Sequence, residues 1–176
     1  TFVMGGKMGC ELLNLIYLLN PWHSGYYLLH LNQTDKESLM PKFSQSSFSK
    51  LSTCHHDLQV LFFEVIKYFD CTILEGYRNE VDQEAAFDKG NTKLHWPEGK
   101  HNANPSMAVD VIAYPINFED EKTAMWFGGY VLGIAQRFKD EGKMAHSIRW
   151  GGSWDGLGKF NSERQLNDLV HFELVV

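Results

Sequence analysis

The sequence predicts an α+β fold for most of its length, and three observations carry that expectation. Two stretches place apolar residues at the three-and-four spacing of an amphipathic helix, a third reads as a helix closing at a glycine, and four shorter ones have the apolar, partly β-branched texture of strands. Helical and strand-like stretches are interleaved and separated by turn residues. With 176 residues, 44% hydrophobic and 22% charged, the chain can bury a core of its own and has the balance of a folded protein.

Taken in order, residues 1–40 differ from the rest of the chain. The apolar run 12–19 is interrupted by Asn20-Pro21, well short of the ~20 residues that cross a bilayer, so no membrane span is expected. A basic amino end, an apolar middle and a small-residue cleavage site do not occur together there, so the segment is not read as a signal peptide. It is left as an extension without an assigned role, and 41–176 is taken as the folded domain. Asn32-Gln33-Thr34 matches a glycosylation sequon, which has meaning only in a secretory context.

Leu58, Leu61, Phe62, Val65, Ile66 and Phe69 predict a helix over 54–69, with Ser52 or Thr53 as its N-cap. Residues 71–75 come next as a short strand ended by Gly76, and 80–89 as a helix closing at Gly90. The polar, turn-rich stretch 91–105 is expected to be a surface loop carrying His101. Residues 108–114, stopped by Pro115, read as a largely buried strand containing Asp110. Trp126, Phe127, Tyr130, Val131, Ile134 and Phe138 mark a long helix over 119–141. Strands are expected over 147–150 and 171–176, and in the last of these His171 and Glu173 share a face. The glycine-rich stretch 151–158 has neither the Walker nor the Rossmann spacing and is read as a turn-rich loop at the rim of a cleft.

Composition removes several classes of function. A formal charge of −6 and the lack of a Lys/Arg run argue against nucleic acid as a partner. Cys10, Cys54 and Cys71 are too few and too scattered for a disulfide framework or a Cys-x-x-Cys zinc site. Cys54-His55-His56 is read as a helix start with incidental histidines, in preference to a nucleophile or a second metal site.

The candidate chemistry lies in His101, Asp110 and His171, with Asp168 just ahead of the last. A carboxylate inside an apolar strand is costly unless a cation or hydrogen bonds compensate it, which marks Asp110 as a ligand candidate. Two imidazoles and a carboxylate suit a catalytic zinc ion, which keeps its fourth position open for water. Asp168 is then the candidate general base, and Arg78, after the Gly76 turn, the candidate for steadying an oxyanion. The three ligand candidates are expected to converge on one edge of a sheet.

Glu75-Gly76-Tyr77-Arg78, His101 followed by Ser106-x-Ala108-Val109-Asp110, Arg149-Trp150-Gly151-Gly152 and Asp168-x-x-His171-Phe172-Glu173-Leu174 resemble the phage L-alanyl-D-glutamate endopeptidases. These are zinc peptidases grouped with the D-alanyl-D-alanine carboxypeptidases and the hedgehog signalling domain. The resemblance runs from about Phe43 to the C-terminus. It implies a small, mainly antiparallel sheet with helices packed on it, one zinc ion held by His101, Asp110 and His171, Asp168 as general base and Arg78 at the scissile carbonyl. It implies hydrolysis of an amide in the bacterial peptidoglycan stem peptide, L-Ala–D-Glu first, by a monomer made in the host cytoplasm without a signal peptide and acting on the wall after release, as endolysins do. A D-alanyl-D-alanine carboxypeptidase and a non-catalytic zinc-containing wall-binding module are the alternatives. The chain departs from the family's common pattern in a longer loop between His101 and Asp110, in Ser153 where Asp is usual, and in Val170 where Pro often precedes the His.

Overall fold

The computed structural model describes residues 40–154 and 168–175. The expectations for 1–39, for the far part of the glycine-rich stretch from Asp155 on, and for Val176 lie outside the described residues. The element order is α1 (Gln45–Leu51), α2 (His56–Val65), β1 (Cys71–Glu75), α3 (Glu80–Asp88), a single 3₁₀ turn (Lys100–Asn102), β2 (Ala108–Ala113), α4 (Glu121–Asp140), β3 (Ser147–Trp150) and β4 (His171–Val175). The strands form one antiparallel sheet in the order β1-β2-β4-β3, the expected α+β architecture.

Strand alternation divides the labour of that sheet. Val109, Val111 and Ala113 of β2 and Phe172 and Leu174 of β4 point to one face and join the core. There they meet Leu58, Leu61, Phe62 and Val65 of α2 and Phe127, Val131, Ala135 and Phe138 of α4. The Phe62 and Phe172 rings meet edge-on at 5.5 Å. Burying each such side chain stabilises the fold by about 1.5–3 kcal/mol, which anchors both helices on this face. The residues between them, Asp110, His171 and Glu173, therefore turn to the opposite face. Trp150 wedges this arrangement from the side: a side-chain carbon on Gly128 of α4 would lie 2.5 Å from its ring, and its indole N–H donates to Leu169 O at 2.9 Å.

Two expectations need correction. The helix expected over 54–69 runs only from His56 to Val65, and its N-cap is His55, whose Nδ1 accepts the Asp57 amide at 3.1 Å. Thr53 is not available as a cap, because its hydroxyl donates to Lys50 O at 2.6 Å and accepts the Tyr77 amide at 2.8 Å. Ser52 is the C-cap of α1, a helix the sequence pattern did not suggest. The other elements fall within a residue or two of expectation, and the 91–105 loop gains its 3₁₀ turn at His101. Among the described residues no helix is long and apolar enough to cross a membrane.

Candidate metal centre

Antiparallel register, more than any loop, brings the candidate residues together. Asp110 of β2 stands directly opposite His171 of β4, so their side chains leave the same face of the sheet as cross-strand neighbours. These are the two central strands, and the expectation of a sheet edge is corrected accordingly. His101 reaches the same place from the 3₁₀ turn. Asp110 Oδ1 lies 3.2 Å from His101 Nε2 and 3.0 Å from His171 Nδ1, and the two ring nitrogens are 3.3 Å apart.

The outward hydrogen bonds decide what these nitrogens can do. His101 Nδ1 lies 2.7 Å from Gly76 O, and a carbonyl only accepts, so Nδ1 carries the hydrogen and Nε2 keeps its lone pair. His171 Nε2 lies 3.1 Å from Glu173 Oε2, which likewise leaves Nδ1 as the lone-pair nitrogen facing Asp110. Two lone pairs and a carboxylate oxygen thus converge. Zinc ligands at about 2.0–2.1 Å in a tetrahedron stand about 3.3 Å apart, which matches the observed spacing. When no cation balances Asp110, a proton does: burial opposes charge on His171, but Asp110 and Glu173 outweigh it and push that imidazole up to about 9. Asp110 is itself buried, yet the two imidazoles hold its carboxyl well below the usual range.

Around this centre the neighbours are held in place. Arg78 is mostly buried, 3.4 Å from Glu75 Oε2 and from Gln83 Oε1 and 3.9 Å from Asp110 Oδ2. Its backbone is tied to the His101 segment, with Arg78 N donating to His101 O at 2.9 Å and Asn102 Nδ2 donating to Arg78 O at 3.0 Å. Gln83, fully buried, accepts from Asn102 Nδ2 at 3.0 Å and donates to Leu94 O at 2.6 Å, so one amide links α3, the loop and Arg78. Asp168 is partly buried where burial and the negative charge of Asp110 raise its carboxyl above the ordinary value, while His171, His101 and Arg78 pull it down. Gly151 makes that approach possible, because a side-chain carbon there would run into the Asp168 carbonyl oxygen and lie 3.0 Å from its Cβ. The longer loop after His101 is absorbed by hydrogen bonds: His55 N donates to Ser106 O at 2.8 Å, Ser106 N to Thr53 O at 2.9 Å and Met107 N to Lys100 O at 3.0 Å.

A second set with the same residue types, His55, Asp57 and His146, lies at the start of α2; in each set the potential ligand atoms are within 4.8 Å of one another. Asp57 Oδ2 accepts the amides of Ala145 and His146 and the Nδ1–H of His146, all at 2.9 Å. The expected helix start is found, but His55 is not incidental, since its Nδ1 caps the helix. Burial pushes the Cys54 thiol up to about 12, which removes it as a nucleophile at neutral pH.

All five residues singled out from the sequence are thus accounted for: His101, Asp110 and His171 meet at contact distance, Arg78 lies beside Asp110, and Asp168 is within electrostatic reach of all four. Gln83, Asn102 and Arg149 were not foreseen. The shared face of His171 and Glu173 was the signal for Glu173, but a buried glutamine in a short polar helix leaves none.

Comparison with known proteins gives a family and a fold. The family model described as phage L-alanyl-D-glutamate peptidase matches residues 39–175. The crystal structure of the Serratia marcescens L-Ala D-Glu endopeptidase ChiX is similar in fold, with a TM-score of 0.58 and 22% sequence identity, over 79% of this chain and 93% of that one. Comparison with curated proteins gives no significant match.

Proposed function

The chain belongs to the phage L-alanyl-D-glutamate peptidase family, and from that premise we propose that it is a zinc-dependent peptidoglycan hydrolase that cuts the L-Ala–D-Glu amide of the stem peptide, with 41–176 as the catalytic domain acting as a monomer at the host cell wall after release from the cytoplasm. The observation that carries the metal reading is the convergence of His101 Nε2, His171 Nδ1 and Asp110 Oδ1 at 3.0–3.3 Å while the other ring nitrogens are committed outward. A zinc ion held there would lower the pKa of a water toward about 7 and polarise a carbonyl.

The chain's own residues supply the rest. Asp168, with its carboxyl raised, is suited to take the proton of the attacking water as the C–O bond forms, and then to give that proton to the amide nitrogen, so that the C–N bond breaks and the amine departs. Arg78 faces the negative charge that develops on the carbonyl oxygen, and Gln83 and Glu75 hold its guanidinium in place beforehand. The tripartite donor set leaves a fourth tetrahedral position for water, whereas a purely structural zinc site usually fills all four with protein.

The test is to incubate the purified protein with peptidoglycan, with chelator and with zinc restored, and to identify new amino termini by mass spectrometry. A D-Glu terminus that vanishes with chelator is expected. Released D-Ala would assign a carboxypeptidase instead, and bound zinc without cleavage of any wall type would assign a binding module.

A further inference from the structure

On the far side of His171 from Asp110 lies a pair that the hydrolysis above does not use. Glu173 is almost fully buried at 5% exposure, an expensive place for a carboxylate without partners. Both its oxygens are committed: Oε2 lies 3.1 Å from His171 Nε2, and Oε1 accepts from Arg149 Nε at 2.9 Å and from the same guanidinium's terminal nitrogen. The arrangement is written into the sheet, since Arg149 of β3 is the register partner of Glu173, and Glu173 is the same-face neighbour of His171 two residues along β4. Trp154 closes the group, its ring 5.5 Å from the Arg149 guanidinium and 5.6 Å from the His171 ring.

Resting on the zinc reading, we propose that Glu173, pinned by Arg149, is a positioning residue that keeps the His171 hydrogen on Nε2 and thereby aims Nδ1 at the metal. A neutral imidazole has one hydrogen, and the acceptor beside it selects the nitrogen that keeps it. Without Arg149, Glu173 would have a second oxygen unpartnered in a buried site and a carboxylate free to turn about its own bonds. Arg149 takes that oxygen, fixing the carboxylate plane from the exposed side of the sheet, and its charge offsets that of Glu173. The ligand and its orienting pair thus lie on adjacent strands, so the orientation of His171 is set before any metal arrives.

The test is zinc affinity, read by competition with a chromophoric chelator, for the wild type and Glu173→Ala, Glu173→Gln and Arg149→Gln, with folding checked by circular dichroism. In the zinc-loaded proteins, imidazole ¹H–¹⁵N spectra report the His171 Nε2–H. Glu173→Ala is expected to weaken zinc binding by ~10- to 100-fold and to lose the protected Nε2–H signal. Glu173→Gln keeps an oxygen acceptor and should recover much of both, and Arg149→Gln, on the rim, should fall in between while folding normally. If Glu173→Ala does not fold, Glu173→Gln and Arg149→Gln carry the comparison with the wild type. Wild-type affinity and an unchanged Nε2–H in the variants that fold would overturn the positioning role while leaving the zinc reading intact, whereas a wild type that binds no zinc would overturn the zinc reading itself, and the proposal with it.

Discussion

His101, Asp110 and His171 on the open face of the sheet and His55, Asp57 and His146 at the start of α2 contain the same side-chain types at similar spacing, yet their hydrogen bonds run in opposite directions. In the sheet set, the hydrogens of the two imidazoles point outward to Gly76 O and Glu173, and the lone pairs point inward. In the helix set two of the potential ligand atoms already accept protein donors: His55 Nδ1 takes the Asp57 amide, and Asp57 Oδ2 takes three N–H groups. A cation taking His55 Nδ1 or Asp57 Oδ2 would have to displace the backbone donors of Asp57, Ala145 or His146 that already occupy those atoms. Ligand type and proximity therefore do not make a metal site; the direction of the surrounding donors does. The sheet set has the donor arrangement that the proposed cation needs, and the helix set ties α2 to the segment leading into β3.

The sharpest break of this comparison is to remove an imidazole from each set. His171→Ala should abolish peptidoglycan hydrolysis in a turbidity assay, while His146→Ala should leave the rate within about twofold of wild type, since it touches no group at the centre. Next in size, Asp168→Asn should keep zinc and lose ~10²–10⁴-fold in kcat, because it removes the proton acceptor without removing a ligand. Gly151→Ala should cost roughly 10²-fold in kcat by pushing Asp168 out of position, again with zinc retained on elemental analysis.

The smallest effect is on stability and belongs to the helix set. Asp57→Ala removes the acceptor of the Ala145 and His146 amides and should cost about 1–3 kcal/mol in urea unfolding, with metal content unchanged. Burial opposes ionisation of Asp57, but the donors from His146 and Ala145 prevail and hold its carboxyl below its ordinary 3.8. A depressed folded value means that the stabilisation is fully present above that ordinary value and is lost as pH falls through the folded one. Acid unfolding of the wild type should show this loss, and Asp57→Asn should flatten it.

How much of the fold and the centre was legible in the sequence depends on the range over which each feature is determined. The strands and the long helix are legible because apolar periodicity states directly which face is buried, and the same alternation that sends Val109 and Phe172 to the core sends Asp110 and His171 to the other side. Helix α1 is hidden because its sequence is dominated by serines. It exists through the Ser44 cap and through Ser47, whose buried hydroxyl accepts the Ile73 amide at 3.2 Å, a contact between residues far apart in sequence. The His55 cap is missed for a related reason: hydroxyl and carboxamide caps are the local rule, and Thr53 breaks it only because the Gly76 turn claims its side chain. Of the candidate centre, the ligand candidates are visible as residue types, whereas Gln83 and Arg149 act through partners that only the folded chain brings near.

The central claim, that donor direction separates a metal site from a structural clasp, is tested most directly by zinc stoichiometry per chain, measured by elemental analysis after dialysis against zinc buffered at low micromolar concentration. One equivalent in the wild type and in His146→Ala, and none in His171→Ala, is the predicted result. Two equivalents in the wild type, or one that survives in His171→Ala and disappears in His146→Ala, would contradict it.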